Sequence, residues 1–153
     1  MRLSRRYFLL GLTTTTAGVV GVASIKLLQS QLVASSNSLT TTQAYAALRD
    51  GQIILIDIRR PEEWRATGIA QGAIPIDMRR EDFIEAVRIA ATDPSVPIAL
   101  ICAGGVRSRR IFDTLEDAGV TNIIDVPEGM SGSRAGPGWI AAGLPVVGWS
   151  GQP

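Results

Sequence analysis

The sequence predicts an α/β fold with a mainly parallel sheet and right-handed crossovers, and two patterns support this prediction. Segments typical of strands alternate with helical segments throughout residues 41–126. The strand segments at residues 53–58 and 98–101 are almost unbroken apolar runs, which is typical of strands buried on both faces of a parallel sheet. Ligands in such sheets bind beyond the carboxyl ends of the strands, so a functional site is expected at that edge.

The alternation begins with a helix, a strand and the start of a second helix. Residues 41–49 have helical character, and Gly51 follows as a stop signal. The strand at residues 53–58 is interrupted only by Asp57. Pro61 stands where the first position of a helix is expected, and the two glutamates after it favour the positive end of the helix dipole.

The second half of the alternation supplies two more helices and three strands. Residues 73–76 predict a short strand, and residues 81–92 predict an amphipathic helix that a following Asp-Pro pair ends. The buried strand at residues 98–101 comes next. A helix at residues 108–118, ended by a glycine, then leads to a last strand at residues 122–126.

Composition and charge exclude several classes of protein. Apolar residues make up 46% of the chain and charged residues 19%, which is not typical of a disordered protein. Four basic residues and no acidic ones precede residue 36, so the rest has 11 basic and 14 acidic residues, a net charge of −3. That balance gives no electrostatic reason to bind nucleic acid. One Cys and no His exclude a disulfide framework, a Cys/His metal site and any mechanism with a histidine base.

Residues 1–35 predict an export signal or a membrane anchor. Arginines at positions 2, 5 and 6 precede 19 uncharged residues, and the run from Ser4 to Leu10 resembles a twin-arginine export signal. An ordinary secretory signal or a permanent single-span anchor fits the same pattern. The segment has no clean Ala-x-Ala cleavage site, so the sequence leaves open whether the signal is cleaved near Ser35. We expect an exported, periplasmic protein, soluble or anchored, that contacts the membrane only through this segment. Residues 36–40 then form a linker and residues 41–150 the folded domain.

One loop contains the residues that predict chemistry. The strand at residues 98–101 runs directly into Cys102, and two glycines, Arg107 and the start of a helix follow. The glycines free the backbone so that successive N–H groups can point at one centre. The helix N-terminus and Arg107 add positive charge, which favours the thiolate form of Cys102. A buried, inert cysteine is the alternative for a lone Cys, but this arrangement favours an anion-binding cradle with a reactive thiolate.

Five segments, in order along the chain, resemble the rhodanese family of sulfurtransferases. They are Leu55–Trp64, Gly68–Ile74, Cys102–Ser108, Gly119–Ile123, and a C-terminal signature made of Glu128–Met130 with Gly138–Val146. The resemblance implies a three-layer fold, with a mainly parallel five-stranded sheet between helices, and a persulfide on the loop cysteine. Ile69 stands where many members have His. Because that position does not carry the sulfur, the change is interpreted as structural.

The cradle and the resemblance together predict a sulfurtransferase. The Cys102 thiolate would attack the outer sulfur of a small anionic donor such as thiosulfate, while loop amides and Arg107 hold the sulfite that leaves. A thiol or cyanide would then accept the sulfur from the persulfide, so no cofactor is expected beyond that covalently held sulfur. The loop residues assigned to substrate binding are Ala103, Gly104, Gly105, Val106 and Ser108.

Two alternative functions stay open. A cysteine phosphatase or arsenate reductase can share such a fold, but its loop has five residues between Cys and Arg, whereas four separate Cys102 from Arg107. Ser108 occupies the position where that Arg would fall. An exported sulfur-carrier or binding module with negligible turnover needs the same persulfide, so the sequence does not separate it from an enzyme.

Residues around the loop have supporting assignments. Asp57 either caps the turn after its strand or orients the loop, and Arg59 is expected to pair with a carboxylate. Arg109 and Arg110 form a solvated face or steer anionic substrates. Packing is expected of Trp64, Trp139 and Trp149, and a place at the mouth of the site also fits Trp139, Met130 and Ser131.

Overall fold

The structure, a computed structural model, describes residues 37–151 together with residues 24, 25, 27, 28 and 31. The arginines at positions 5 and 6 and the cleavage region near Ser35 lie outside the described residues, so the export signal stays a prediction. Within the described part of the chain, no helix is both long enough and apolar enough to cross a bilayer.

Helices and strands alternate along the described domain. The helices are α1 (Thr41–Arg49), α2 (Pro61–Thr67), α3 (Phe83–Ala90), α4 (Val106–Asp117) and α5 (Gly138–Ala141). The strands are β1 (Ile54–Asp57), β2 (Ile69–Ala70), β3 (Ile74–Pro75), β4 (Ile98–Ile101), β5 (Ile123–Asp125) and β6 (Val146–Val147). A capping box sets the start of α1, because the Thr40 hydroxyl accepts from the Gln43 N–H at 3.2 Å. Pro61, whose ring fixes a helical φ, begins α2.

Four parallel strands form the main sheet in the order β3-β1-β4-β5. Leu55 of β1 lies beside Ala99 of β4, which in turn lies beside Ile124 of β5. The strands β2 and β6 form a separate antiparallel ribbon in which Ala70 lies opposite Val146. Because the main sheet is parallel, the carboxyl ends of its strands share one edge, as the sequence predicts.

The main sheet has four strands rather than the five that the family resemblance implies. Beside β5, Ser38 makes a single parallel bridge to Asp125. The Leu39 N–H donates to the Asp125 carbonyl at 2.9 Å, and the Asp125 N–H donates to the Asn37 carbonyl at 3.0 Å. The chain then turns into α1 at Thr41, which ends the pairing after one bridge.

Helices cover both faces of the main sheet, which confirms the three-layer architecture. Successive strand residues face opposite sides, so Leu55 and Ile56 belong to different core clusters. The first cluster contains Ala44 of α1, and the second contains Val87 of α3 and Leu115 of α4. The apolar strands are therefore buried from both sides, as their continuous apolar sequence predicts.

The predicted boundaries agree with the structure to within two residues. The helix at residues 41–49 and the strand at residues 98–101 are confirmed without change. The helix after the loop begins at Val106 rather than Ser108, because the left-handed backbone of Gly105 (φ 79°) lets the helix start directly after it. The sequence did not predict β2, β6 or α5, since elements of two to four residues carry no readable periodicity.

Candidate active site

The loop after β4 lies at the carboxyl edge of the sheet. β4 ends at Ile101, Cys102 follows, and α4 begins at Val106. Since Asp57 at the end of β1 pairs with Ile101, both strand ends meet at this edge. The cysteine therefore lies where the sequence places it, between a buried strand and a helix N-terminus.

Two polar groups surround the sulfur of Cys102, a residue that is only 1% exposed. The Gly105 N–H donates to Sγ at 3.2 Å, and the Ser108 Oγ lies 3.6 Å from Sγ. The Ser108 hydroxyl also donates to the Gly105 carbonyl at 3.1 Å. Both groups belong to the start of α4, where the helix dipole is positive. The Gly105 N–H and the positive end of α4 favour negative charge on the sulfur, whereas the Ser108 Oγ accepts from the Cys102 thiol.

The loop geometry requires glycine at position 105. Gly105 has a φ of 79°, a backbone conformation that L side chains rarely adopt. A Cβ at that position would lie 2.1 Å from the Pro127 carbonyl oxygen, which is far inside van der Waals contact. At Gly104 the space is less restricted, since a Cβ would lie 3.3 Å from the Gly132 carbonyl oxygen. The close approach at Gly105 is what directs its N–H at the cysteine sulfur.

The segment after β5 holds the loop by its backbone. The Met130 N–H donates to the Cys102 carbonyl, and the Ser131 N–H donates to the Ala103 carbonyl, both at 2.8 Å. Gly129 passes so close that a Cβ there would lie 2.4 Å from the Ala103 carbonyl oxygen. Met130 is fully buried and Ser131 is exposed. Of these two residues, therefore, only Ser131 fits the predicted place at the mouth of the site.

The buried carboxylate of Glu128 supports the same segment. It accepts from the Thr41 hydroxyl at 2.9 Å and from the Gly138 N–H at 3.2 Å. It therefore links the first residues of α1 and α5. Gly136 packs against it, because a Cβ there would lie 2.6 Å from the carboxylate carbon. The sequence alone gave no sign of this contact, whose partners are up to 87 positions apart.

Arg107 forms an ion pair with Glu63. Its two terminal nitrogens donate to the two carboxylate oxygens of Glu63 at 2.7 and 2.6 Å. The hydrogen bond from Arg107 holds the pKa of Glu63 below its ordinary value, and Glu63 raises the pKa of Arg107. Arg107 lies in the first turn of α4 and Glu63 in the first turn of α2, so the ion pair joins α2 to the helix that follows the cysteine loop. The sequence predicts that Arg107 binds the anionic substrate. In the structure its guanidinium binds the carboxylate of Glu63 instead.

Asp57 and Arg59 form a buried pair at the end of β1. The Asp57 carboxylate accepts from the Arg59 backbone N–H at 3.1 Å and from its guanidinium at 2.9 and 2.7 Å. Arg59 also donates to the Thr67 hydroxyl at 2.8 Å and to the Gly68 carbonyl at 2.7 Å. The side chains are 0% and 1% exposed. This geometry fits the interpretation of Asp57 as a turn cap and of Arg59 as the partner of a carboxylate.

Asp125 places a buried carboxyl group next to the loop. Burial raises its pKa above the ordinary value, while the Ser108 hydroxyl and the charge of Arg109 act in the opposite direction. Its Oδ1 has no hydrogen-bond partner within residues 37–151. Ser108, whose hydroxyl opposes this rise in pKa, also lies 3.6 Å from the sulfur of Cys102. No local sequence pattern indicates that Asp125, the last residue of β5, is buried.

The remaining candidates are two arginines of α4 and three tryptophans. Arg109 pairs with Asp113 at 3.2 Å and stacks over the Phe112 ring, and it is exposed, as a solvated face predicts. Trp139 is fully buried, and its ring N–H donates to the Pro145 carbonyl at 2.9 Å. It belongs to the core below α1, so the predicted place at the mouth of the site is wrong for Trp139. Arg110 is exposed, and the rings of Trp64 and Trp149 meet edge to face with their centroids 5.1 Å apart.

Solved structures share the fold of this chain. A rhodanese-like domain of a protein from Anabaena sp. superposes with a TM-score of 0.59 at 20% identity, over 77% of this chain and 85% of that one. A polysulfide-sulfur transferase homodimer from Wolinella succinogenes has a TM-score of 0.58 at 24% identity, over 90% and 97%. A possible tyrosine phosphatase from Rhodopseudomonas palustris has a TM-score of 0.55 at 23% identity, over 90% and 99%. At these identities the likeness shows the fold alone.

A family model identifies the domain. No curated protein matches the chain. The model described as the Rhodanese-like domain matches residues 40–135, which include the cysteine loop, the Glu63–Arg107 ion pair and the segment that holds the loop. Because this match spans more than half of the chain, the chain belongs to the rhodanese family, through a rhodanese-like domain at residues 40–135.

Proposed function

We propose that this protein is a sulfurtransferase that moves a sulfane sulfur from a donor such as thiosulfate to a thiophilic acceptor. The observation that supports this proposal most strongly is the N–H of Gly105, which points at the Cys102 sulfur from 3.2 Å. Together with the start of α4, it gives a thiolate or a persulfide anion a fixed donor inside a buried loop. Membership of the rhodanese family supports the same chemistry.

The reaction needs two displacements at sulfur. The Cys102 thiolate attacks the outer sulfur of thiosulfate, a new S–S bond forms, and the old S–S bond breaks as sulfite leaves with its electron pair. The acceptor, cyanide or a thiolate, then attacks the outer sulfur of the persulfide, and the electron pair returns to Cys102. Gly105 and the N-terminus of α4 stabilise the anion in both states. Neither step needs a general base once the thiol is ionised.

The loop length favours sulfur transfer over phosphate chemistry. Four residues separate Cys102 from Arg107, and both terminal nitrogens of that arginine are held by Glu63, at 2.7 and 2.6 Å. A tetrahedral phosphoryl group needs a wider ring of donors and a free arginine fork. The cysteine phosphatase or arsenate reductase is therefore the weaker alternative.

The proposal also includes the location of the protein and its reaction partners. Residues 1–35 would carry the domain to the periplasm, where it is soluble after cleavage or anchored by that segment. The donor is a small sulfur anion and the acceptor a thiol or cyanide. The sulfur on Cys102 is the only group carried, and nucleic acid is no partner of a domain with a net negative charge.

Steady-state turnover with thiosulfate and cyanide tests the proposal. An enzyme produces many equivalents of thiocyanate per protein, and the rate disappears in Cys102→Ser, whose fold is checked by circular dichroism. Release of a single equivalent would indicate the sulfur-carrier module instead. Thiocyanate formation at an unchanged rate by Cys102→Ser would overturn the assignment of Cys102.

A further inference from the structure

The charge at the mouth of the site depends on Glu63, a residue outside the cysteine loop. Its carboxylate meets the Arg107 guanidinium through two hydrogen bonds of 2.7 and 2.6 Å. Glu63 is 29% exposed and Arg107 is 27% exposed, so the pair reaches the protein surface, and Arg107 follows Cys102 by five positions. A free Arg107 would attract anions, whereas the pair is electrically neutral.

The structure also holds Glu63 firmly in this position. It is the third residue of α2, whose start is fixed by Pro61, and its Oε2 accepts from the Arg60 N–H at 3.1 Å. The hydrogen bond from Arg107 keeps the pKa of Glu63 low, so the carboxylate stays ionised at neutral pH. The pairing is therefore a permanent feature of the site near neutral pH.

These contacts determine which charged side chains around Cys102 have a countercharge. Asp57 and Arg59 neutralise each other at 2.7 Å, and so do Glu63 and Arg107. Among these five side chains an ionised Cys102 is then the one without a countercharge, and its charge repels a dianion more strongly than a monoanion or a neutral molecule. Screening by salt reduces this repulsion but does not reverse its sign.

We propose that Glu63 determines donor specificity by neutralising Arg107, so that the site favours hydropersulfides, R–S–S–H, over doubly charged sulfonates such as thiosulfate. This inference rests on the proposed sulfur transfer. In the favoured reaction the Cys102 thiolate attacks the outer sulfur of the hydropersulfide, the S–S bond of the donor breaks, and the thiolate RS⁻ leaves with the electron pair. The proton stays on the transferred sulfur, so atoms and charge balance without a further reactant.

Glu63→Gln tests this proposal, and Glu62→Gln is the matched control. The amide keeps an oxygen that can accept from Arg60 and Arg107, but it removes the negative charge. Glu62 is the neighbouring residue and is 57% exposed, and its ion pairs within residues 37–151 are with exposed Arg60 and Arg79, at 3.9 and 3.7 Å. Both variants lose one carboxylate from the same helical turn. Of the two, only the carboxylate of Glu63 contacts Arg107, so a difference between the two variants reports on that contact.

The first readout is the alkylation of Cys102, which requires no sulfur transfer. The rate with anionic iodoacetate is divided by the rate with neutral iodoacetamide, so that a change in thiolate content cancels. We expect Glu63→Gln to raise this ratio about threefold through the loss of one nearby charge. Glu62→Gln leaves it unchanged. An equal ratio in Glu63→Gln and the wild type would overturn the proposal.

The second readout is the kcat/KM for thiosulfate divided by that for glutathione hydropersulfide. We expect Glu63→Gln to raise this ratio about threefold, because thiosulfate carries more charge at its reacting end. An unchanged ratio with working donors would overturn the specificity role while leaving the proposed function intact. If neither donor transfers sulfur, the proposed function fails and the donor assignment fails with it. The alkylation ratio then still shows whether Glu63 screens anions from Cys102.

Discussion

Replacing Gly105 with alanine is expected to remove most of the sulfur-transfer activity. The substitution places a methyl group 2.1 Å from the Pro127 carbonyl oxygen at a backbone φ of 79°, so the loop must move. That movement takes the Gly105 N–H away from the Cys102 sulfur, where it now donates at 3.2 Å. Loss of one preorganised donor to a developing anion typically lowers kcat by about 10²-fold, and we expect a decrease of that order.

Gly119→Ala is the matched control for backbone strain. Gly119 has nearly the same φ, 77°, but a Cβ there meets no atom within 4 Å. Its substitution is therefore expected to destabilise the fold by ~1–2 kcal/mol through strain alone and to leave kcat unchanged. Both variants are compared by thermal unfolding and by kcat at a temperature where each is folded. Full activity in Gly105→Ala would show that the close approach to Pro127 does not position the loop.

Arg59→Ala is expected to produce the largest loss of stability. Asp57 and Arg59 are 0% and 1% exposed, and the guanidinium reaches the carboxylate at 2.7 Å. Removing the arginine leaves a buried carboxylate without its cation, which typically destabilises a protein by about 3–5 kcal/mol. It also removes the hydrogen bonds to Thr67 and Gly68, which tie the end of α2 to the end of β1. Urea unfolding of the two proteins measures the difference.

The chain contains its own control for this effect in Asp77 and Arg79. The two pairs share the Asp-x-Arg spacing, and the Arg79 guanidinium also reaches its carboxylate at 2.7 Å. The side chain of Arg79 is 51% exposed, however, so water can replace the interaction. Arg79→Ala should therefore shift the urea midpoint far less than Arg59→Ala. Equal shifts in the two variants would contradict the importance of burial.

The sequence predicts the elements that carry long or distinctive patterns. The strand at residues 98–101 is a complete apolar run, and Pro61 and Gly51 mark the ends of neighbouring helices, so these elements are confirmed. The ribbon of β2 and β6 was missed because each strand has two residues and their pairing is purely tertiary. A fifth strand is expected, but beside β5 the chain makes only the single bridge from Ser38 to Asp125, because it enters α1 three residues later.

The sequence predicts the cysteine loop of the candidate site but not the long-range contacts that hold this loop. Cys102 and the glycines after it stand together in the sequence, and their spacing to the helix predicts the cradle. Glu63 lies 44 positions from Arg107, and no local pattern indicates that they meet. In the same way, the two Asp-x-Arg motifs are indistinguishable until the fold buries Asp57 and exposes Arg79. Burial and long-range charge pairing are therefore the properties that only the structure supplies.

Intact mass spectrometry of the domain tests the persulfide on Cys102 most directly. The protein is treated with thiosulfate or with glutathione hydropersulfide, freed of the donor, measured, and measured again after addition of cyanide. Since Cys102 is the only thiol in the sequence, the persulfide mechanism predicts a gain of one sulfur atom that cyanide removes, and neither change in Cys102→Ser. A sulfur adduct that persists in Cys102→Ser, or a folded wild-type protein that gains no sulfur from either donor, would contradict the mechanism.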